Sequence, residues 1–177
     1  ELGWGRVEAV PAGLAVEPGL GETTPLHFPI SHRWSHPDAA NPTAWEPLHL
    51  LGAGVSLDTK TANVAARAPQ SMVQDYLNRE TRALWAIVSN GRQLRLLRDA
   101  SALTRQSYIE FDLDELFANQ LYADFRLLFL TAHASRFAPQ LTAAAKKQAA
   151  AAEDEDGEGE DAVELPEARL DNCWLER

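Results

Sequence analysis

The chain has 177 residues, 45% of them hydrophobic, and a formal net charge of -10 at pH 7. A chain of that size can bury a core without disulfide or metal staples, and no run of eighteen apolar residues offers a membrane span. A membrane protein, a collagen and a disulfide scaffold are thereby excluded. The single cysteine, Cys173, has no internal partner, so a reducing cytoplasm is the expected compartment. The first residue is Glu1 and no basic-then-apolar leader follows, which leads us to expect a piece of something longer.

Charge is unevenly spread. Eight acids and no base lie between Glu153 and Glu164, whereas residues 1–140 hold fifteen acids against twelve arginines and lysines, a balance of -3. From Arg79 to Arg105 six arginines face Glu80 and Asp99, giving +4. The tail sets the net charge, and the body keeps a local basic stretch.

Residues 1–47 are rich in glycine, proline and tryptophan, and seven prolines break any long helix. Short strands packed on the body are expected, anchored by Trp4, Trp34 and Trp45. An α/β body spans residues 48–139. It opens with an apolar strand at Leu48–Leu51, closed by Gly52-Ala53-Gly54, and a second short piece, Val55-Ser56-Leu57, leads to Asp58-Thr59-Lys60. Pro69 suits the first turn of a helix whose apolar face is Met72, Val73, Tyr76 and Leu77. Leu84–Val88 reads as a buried strand. Asn90-Gly91 then signals a hairpin, with a type I′ turn requiring positive φ at both residues. Its return strand places Leu94 and Leu96 on one face, and Gln93, Arg95 and Leu97 on the other.

A further strand is expected from about Gln106 to Phe111, with Asp112 and Glu115 as a capping box for the helix after it. The next helix, Tyr122 to Phe137, carries Phe125, Leu128, Phe129 and Ala132 on one side. Leu127 and Leu130 widen that stripe, so burial on most sides is expected. Residues 140–164 read as a frayed alanine helix passing into an acidic, disordered linker, and 165–177 as the start of a new element.

The common cofactor motifs are absent: no G-x-G-x-x-G, no phosphate-binding loop, no cysteine pair for zinc. His32 and His36 are spaced for chelation on a helix, but Pro29 and Pro37 argue against one, and no metal site is assigned. Ser135 follows His133 too closely for a catalytic triad.

Two constellations carry chemistry. Asp58-Thr59-Lys60 has the D-x-K spacing of magnesium-dependent nucleases of the PD-(D/E)XK type, in which carboxylates hold the metal and the lysine orients water. No upstream acid is convincing, because Glu46 precedes a proline in an expected loop; an exposed turn with a local ion pair is the plainer reading. Arg92, Arg95 and Arg98, backed by Arg79, Arg82 and Arg105, could grip phosphate bidentately, or could protect a solvated edge strand. Alternation puts Arg92 and Arg98 on one face and Arg95 on the other.

The blocks Ser71–Asn78, Leu84–Arg98 and Tyr108–Leu113 resemble the N-terminal region of large type II-G adenine-specific DNA methyltransferases. Related enzymes serve phage-defence systems such as DISARM. The hairpin W-x-I-V-S-N-G-R-x-L-R-L-L-R and the E-F-D-L step are the most specific parts, and the resemblance runs over roughly residues 45–137. It implies a small mixed sheet with packed helices on a degenerate, restriction-endonuclease-like (PD-(D/E)XK-like) scaffold. Asp58 and Lys60 stand at the place of the family's nuclease motif, so Mg2+ is implied only if that site is active. S-adenosyl-methionine would serve the parent enzyme at a site outside this fragment, since Asn41-Pro42-Thr43-Ala44 departs from N-P-P-[YF]. The implied role is an accessory domain for DNA contact or docking, with other defence-system subunits as possible partners and no membrane. The alternative is a non-catalytic interaction module using its tryptophan-rich N-terminus.

Overall fold

The computed structural model describes residues 2–18, 24–35, 45–60, 67–99 and 107–137. In chain order these form β1 (Glu8–Ala9), β2 (Leu14–Val16), β3 (Leu26–Phe28), β4 (His32–Trp34), β5 (Glu46–Leu50), α1 (Pro69–Leu77), β6 (Trp85–Ser89), β7 (Gln93–Arg98), β8 (Tyr108–Asp112), α2 (Leu113–Ala118) and α3 (Tyr122–Ala132). A 3-10 turn, Ala134–Arg136, follows. The architecture is mixed α/β. Six strands form one sheet in the order β1-β4-β5-β6-β7-β8, and β2 and β3 form a separate antiparallel pair.

Only β5 and β6 run parallel, because α1 lies on the crossover between them. Every other neighbouring pair is antiparallel. The Pro-rich opening therefore extends the sheet as well as packing on it. Pro47 lies inside β5, a position proline usually avoids. The ladder with β6 starts one residue later, at Leu48 and Ile87, so the missing N–H falls ahead of it.

Period-two alternation gives the sheet two buried faces. Ala86, Val88 and Leu97 join Val73, Tyr76 and Leu77 of α1, with Leu14, Val16 and Phe28 of the β2–β3 pair. Trp85, Ile87, Leu94 and Leu96 join Leu116, Leu128 and Ala132 with Trp34 on the other side. Ile87 pairs with Leu96 in the hairpin register. The helix expected after Pro69 is present, with Met72, Val73, Tyr76 and Leu77 all buried. Asp112 caps α2, its carboxylate accepting from the Glu115 amide at 3.0 Å. Trp4 and Trp34 are anchors as expected: their rings meet edge to face at 4.8 Å, and the Trp4 indole donates to the Ala132 carbonyl at 2.8 Å.

Four local expectations are corrected. Positive φ falls at Gly91 (81°) and not at Asn90, so Gly91 is the first central residue of the turn, as a type II′ geometry requires. The Asn90 side chain takes over part of the closure, accepting from the Arg92 and Gln93 amides at 3.0 and 2.8 Å. Val55–Leu57 form no strand and belong to a loop. Glu46, expected in a loop, is the first residue of β5. The last helix stops at Ala132, where His133 turns extended and its ring accepts from the Ser135 amide.

The end of α2 carries strain. Gln120, with φ 51°, is the one non-glycine residue among the described residues with positive φ. Its amide donates to Phe117 and that of Leu121 to Leu116, a Schellman closure in which glycine is the usual left-handed residue. Gln120→Gly is expected to stabilise the domain by about 0.5–1 kcal/mol, since the left-handed conformation costs a side chain more than glycine's extra unfolded freedom. A thermal unfolding midpoint no higher than that of the parent would refute this.

Candidate functional site

Asp58 lies on a loop fastened at both ends. The Leu51 backbone amide donates to the Ser89 carbonyl, the Asn90 side-chain Nδ2 to the Val55 carbonyl, and the Gln70 backbone amide to the Leu57 carbonyl. Within the loop, Ser56 Oγ accepts from the amides of Asp58 and Thr59 at 3.2 and 3.3 Å, which turns the Asp58 carboxylate back over the sheet. There it meets Arg95, on the middle of β7.

Arg95 is the centre of the site. Its side chain is 3% exposed. Nη1 and Nη2 donate to the two Asp58 oxygens at 2.6 and 2.8 Å, a bidentate pairing. Nε donates to Glu110, the residue directly opposite on β8, and Nη1 also to the buried Gln70 Oε1 at the start of α1. The Tyr108 ring closes the remaining side, 4.8 Å from the guanidinium carbon. Three elements, the Asp58 loop, α1 and β8, thus converge on one cation. The hydrogen bonds from Arg95 hold the Asp58 carboxyl below the usual carboxylate range. Asp58 raises the Arg95 pKa in turn, ahead of a smaller contribution from Glu110.

The sequence candidates divide accordingly. Asp58 has a second carboxylate, Glu110, on the same guanidinium, while Lys60 is exposed on the loop. Arg92 is exposed and pairs with Asp114 at 2.6 Å. Arg98 is half-buried at the far end of β7. The three arginines do not form one patch. Among the described residues no three His, Cys, Asp or Glu side chains are grouped to hold a metal ion. His32 donates to or accepts from Ser31, and His36 lies outside the described residues, as do Arg105 and Cys173. Between the Asp58 loop and the hairpin turn lies an open cavity of about 340 Å³, lined by Val55, Ser56, Asn90, Arg92 and Asp114 among others.

Two buried titratable groups went unread in the sequence as such. Glu46 is 3% exposed, with no hydrogen-bond partner for Oε2, and burial pushes its carboxyl well above the usual range. His49, paired with Val88 and buried on the α1 face, is pushed down to about 4 by burial, with His32 adding repulsion. Their signal was an acid and a histidine inside an apolar strand. Pro47 masked it.

The expectation that the last helix is buried on most sides is also corrected. Only Leu128 and Ala132 of α3 are buried. Tyr122 is 72% exposed, and Phe125, Leu127, Phe129 and Leu130 are exposed with it; Phe117 of α2 is 60% exposed. Between α2 and α3 an apolar groove of about 200 Å³ is lined by Leu116, Phe117, Leu121, Tyr122 and Phe125. The tryptophans expected as a contact surface are instead turned inward or half-buried.

Among the described residues no helix is long and apolar enough to cross a membrane. Compared with protein-family models, curated proteins and solved structures, the chain matches none.

Proposed function

We propose that this chain is the N-terminal accessory domain of a cytoplasmic DNA adenine-N6 methyltransferase of a restriction–modification or phage-defence system, built on a degenerate PD-(D/E)XK-like scaffold. Its part is to dock the enzyme together and to contact DNA, not to cleave it. The observation that carries the docking role is the apolar surface of α2 and α3, where six large side chains from Phe117 to Leu130 are exposed together. Arg92 beside the polar cavity is the best placed of the three arginines to meet a phosphate, at the expense of its exposed pair with Asp114. S-adenosyl-methionine would bind elsewhere in the parent enzyme.

The test uses the parent methyltransferase. Leu127→Ser with Phe117→Ser should lower methylation several-fold while leaving this domain's unfolding midpoint nearly unchanged, because both side chains are exposed. Arg92→Ala should weaken DNA binding at low salt and make its salt dependence shallower by about one phosphate contact. Methylation and DNA affinity that ignore both sets of changes would overturn the reading. Loss of a separate subunit from the complex, with methylation intact, would instead favour the interaction-module alternative.

A further inference from the structure

Arg95 presents an unusual balance of charge. Three oxygen donors from three elements, the Asp58 and Glu110 carboxylates and the Gln70 amide, point at a single buried guanidinium. Two anions and a neutral oxygen converging on one point make the donor set of a hard divalent cation. We propose that Arg95 serves as this domain's tethered cation, filling the position a divalent metal ion would otherwise take between Asp58, Glu110 and Gln70. The wild-type site is therefore closed to metal, and its carboxylates are structural.

The geometry gives reasons. Asp58 is 62% exposed and Glu110 is 33% exposed, so an ion could reach both from solvent, whereas the guanidinium is carried on β7, a paired strand inside the sheet. Its planar fork satisfies both Asp58 oxygens at once, and a third donor remains for Glu110. Both Asp58 oxygens and one Glu110 oxygen are thereby taken by the guanidinium. The charge that a metal would supply is covalently present at all times and independent of solution conditions. The idea does not depend on the proposed methyltransferase role.

Arg95→Gly removes the cation and leaves its donors. We expect its unfolding midpoint to fall by several degrees and to recover in millimolar guanidinium ion, and likewise in Mn2+, but not in NaCl of equal ionic strength. Wild-type protein should show no saturable Mn2+ binding by calorimetry at this site, and adding Glu110→Gln to the glycine variant should abolish the Mn2+ effect. If the glycine variant is recovered unfolded, regained helical and sheet circular dichroism in guanidinium or Mn2+ is the readout. Failure of both cations to act beyond NaCl, or wild-type Mn2+ binding that Asp58→Asn removes, would overturn the proposal.

Discussion

Replacing Arg95 with methionine is expected to destabilise the domain by about 2–4 kcal/mol, the largest effect of any single charge removal in the described fold. The side chain is 3% exposed and meets Asp58, Glu110 and Gln70 together. Methionine keeps most of the volume, so the loss measures hydrogen bonding and charge. Breaking a wholly buried ion pair costs about 3–5 kcal/mol. Here the Asp58 carboxylate regains water readily, which lowers the figure, while the buried Gln70 amide is left unmet, which adds about 1 kcal/mol or more. Arg92→Met is the internal control: its pair with Asp114 is exposed and screened by solvent, so its loss should be far smaller. Urea unfolding of both variants checks the contrast, and equal losses would contradict it.

Stability should trace a plateau with pH, set by two groups on the same strand. His49 titrates at about 4 in the fold and at 6.5 in the open chain, so the unfolded state binds its proton first as pH falls. That contribution is full above pH 6.5 and is lost by pH 4, a difference of about 3 kcal/mol. Glu46 acts in the opposite sense. Its folded pKa lies well above 4.5, so its neutral form favours folding, and stability declines as pH rises from 4.5 toward the folded pKa. The two slopes oppose one another between pH 4.5 and 6.5. The Glu46 decline continues upward until its folded pKa is passed; below pH 4 the His49 contribution is exhausted, and Asp58 adds a solvent-screened loss in the same direction. Glu46→Gln should abolish the decline on the alkaline side and leave the acid limb in place. A Glu46→Gln profile identical to that of the parent in denaturant unfolding from pH 4.5 upward would show the assignment to be mistaken.

Much of this fold is written locally. The β6–β7 hairpin, the Pro69 helix start and the Asp112 cap each depend on residues within a few positions of one another, and alternation alone separates Leu94 and Leu96 from Leu97. What the sequence hides is long in range. Asp58 and Arg95 are 37 residues apart and Gln70 and Arg95 are 25 apart, and no spacing rule connects them. Strands as short as Glu8–Ala9 and His32–Trp34 are too brief for a period, so membership of the sheet comes from their neighbours. The α3 stripe was visible, but periodicity counts apolar faces without saying which of them a partner covers. Glu46 was hidden by the proline after it, since that residue is normally evidence against a central strand.

One corner of the molecule joins the two ends of the described fold. The Leu2 carbonyl accepts from the Ala134 amide at 2.8 Å, and Trp4 is hydrogen-bonded to Ala132 and meets the Phe137 ring at a tilt, 5.0 Å between centroids. The first and last described residues, Leu2 and Phe137, therefore close one seam of the fold. A bulky substitution at that seam would disturb both edges of the fold at once; a surface loop far from it is the safer attachment point.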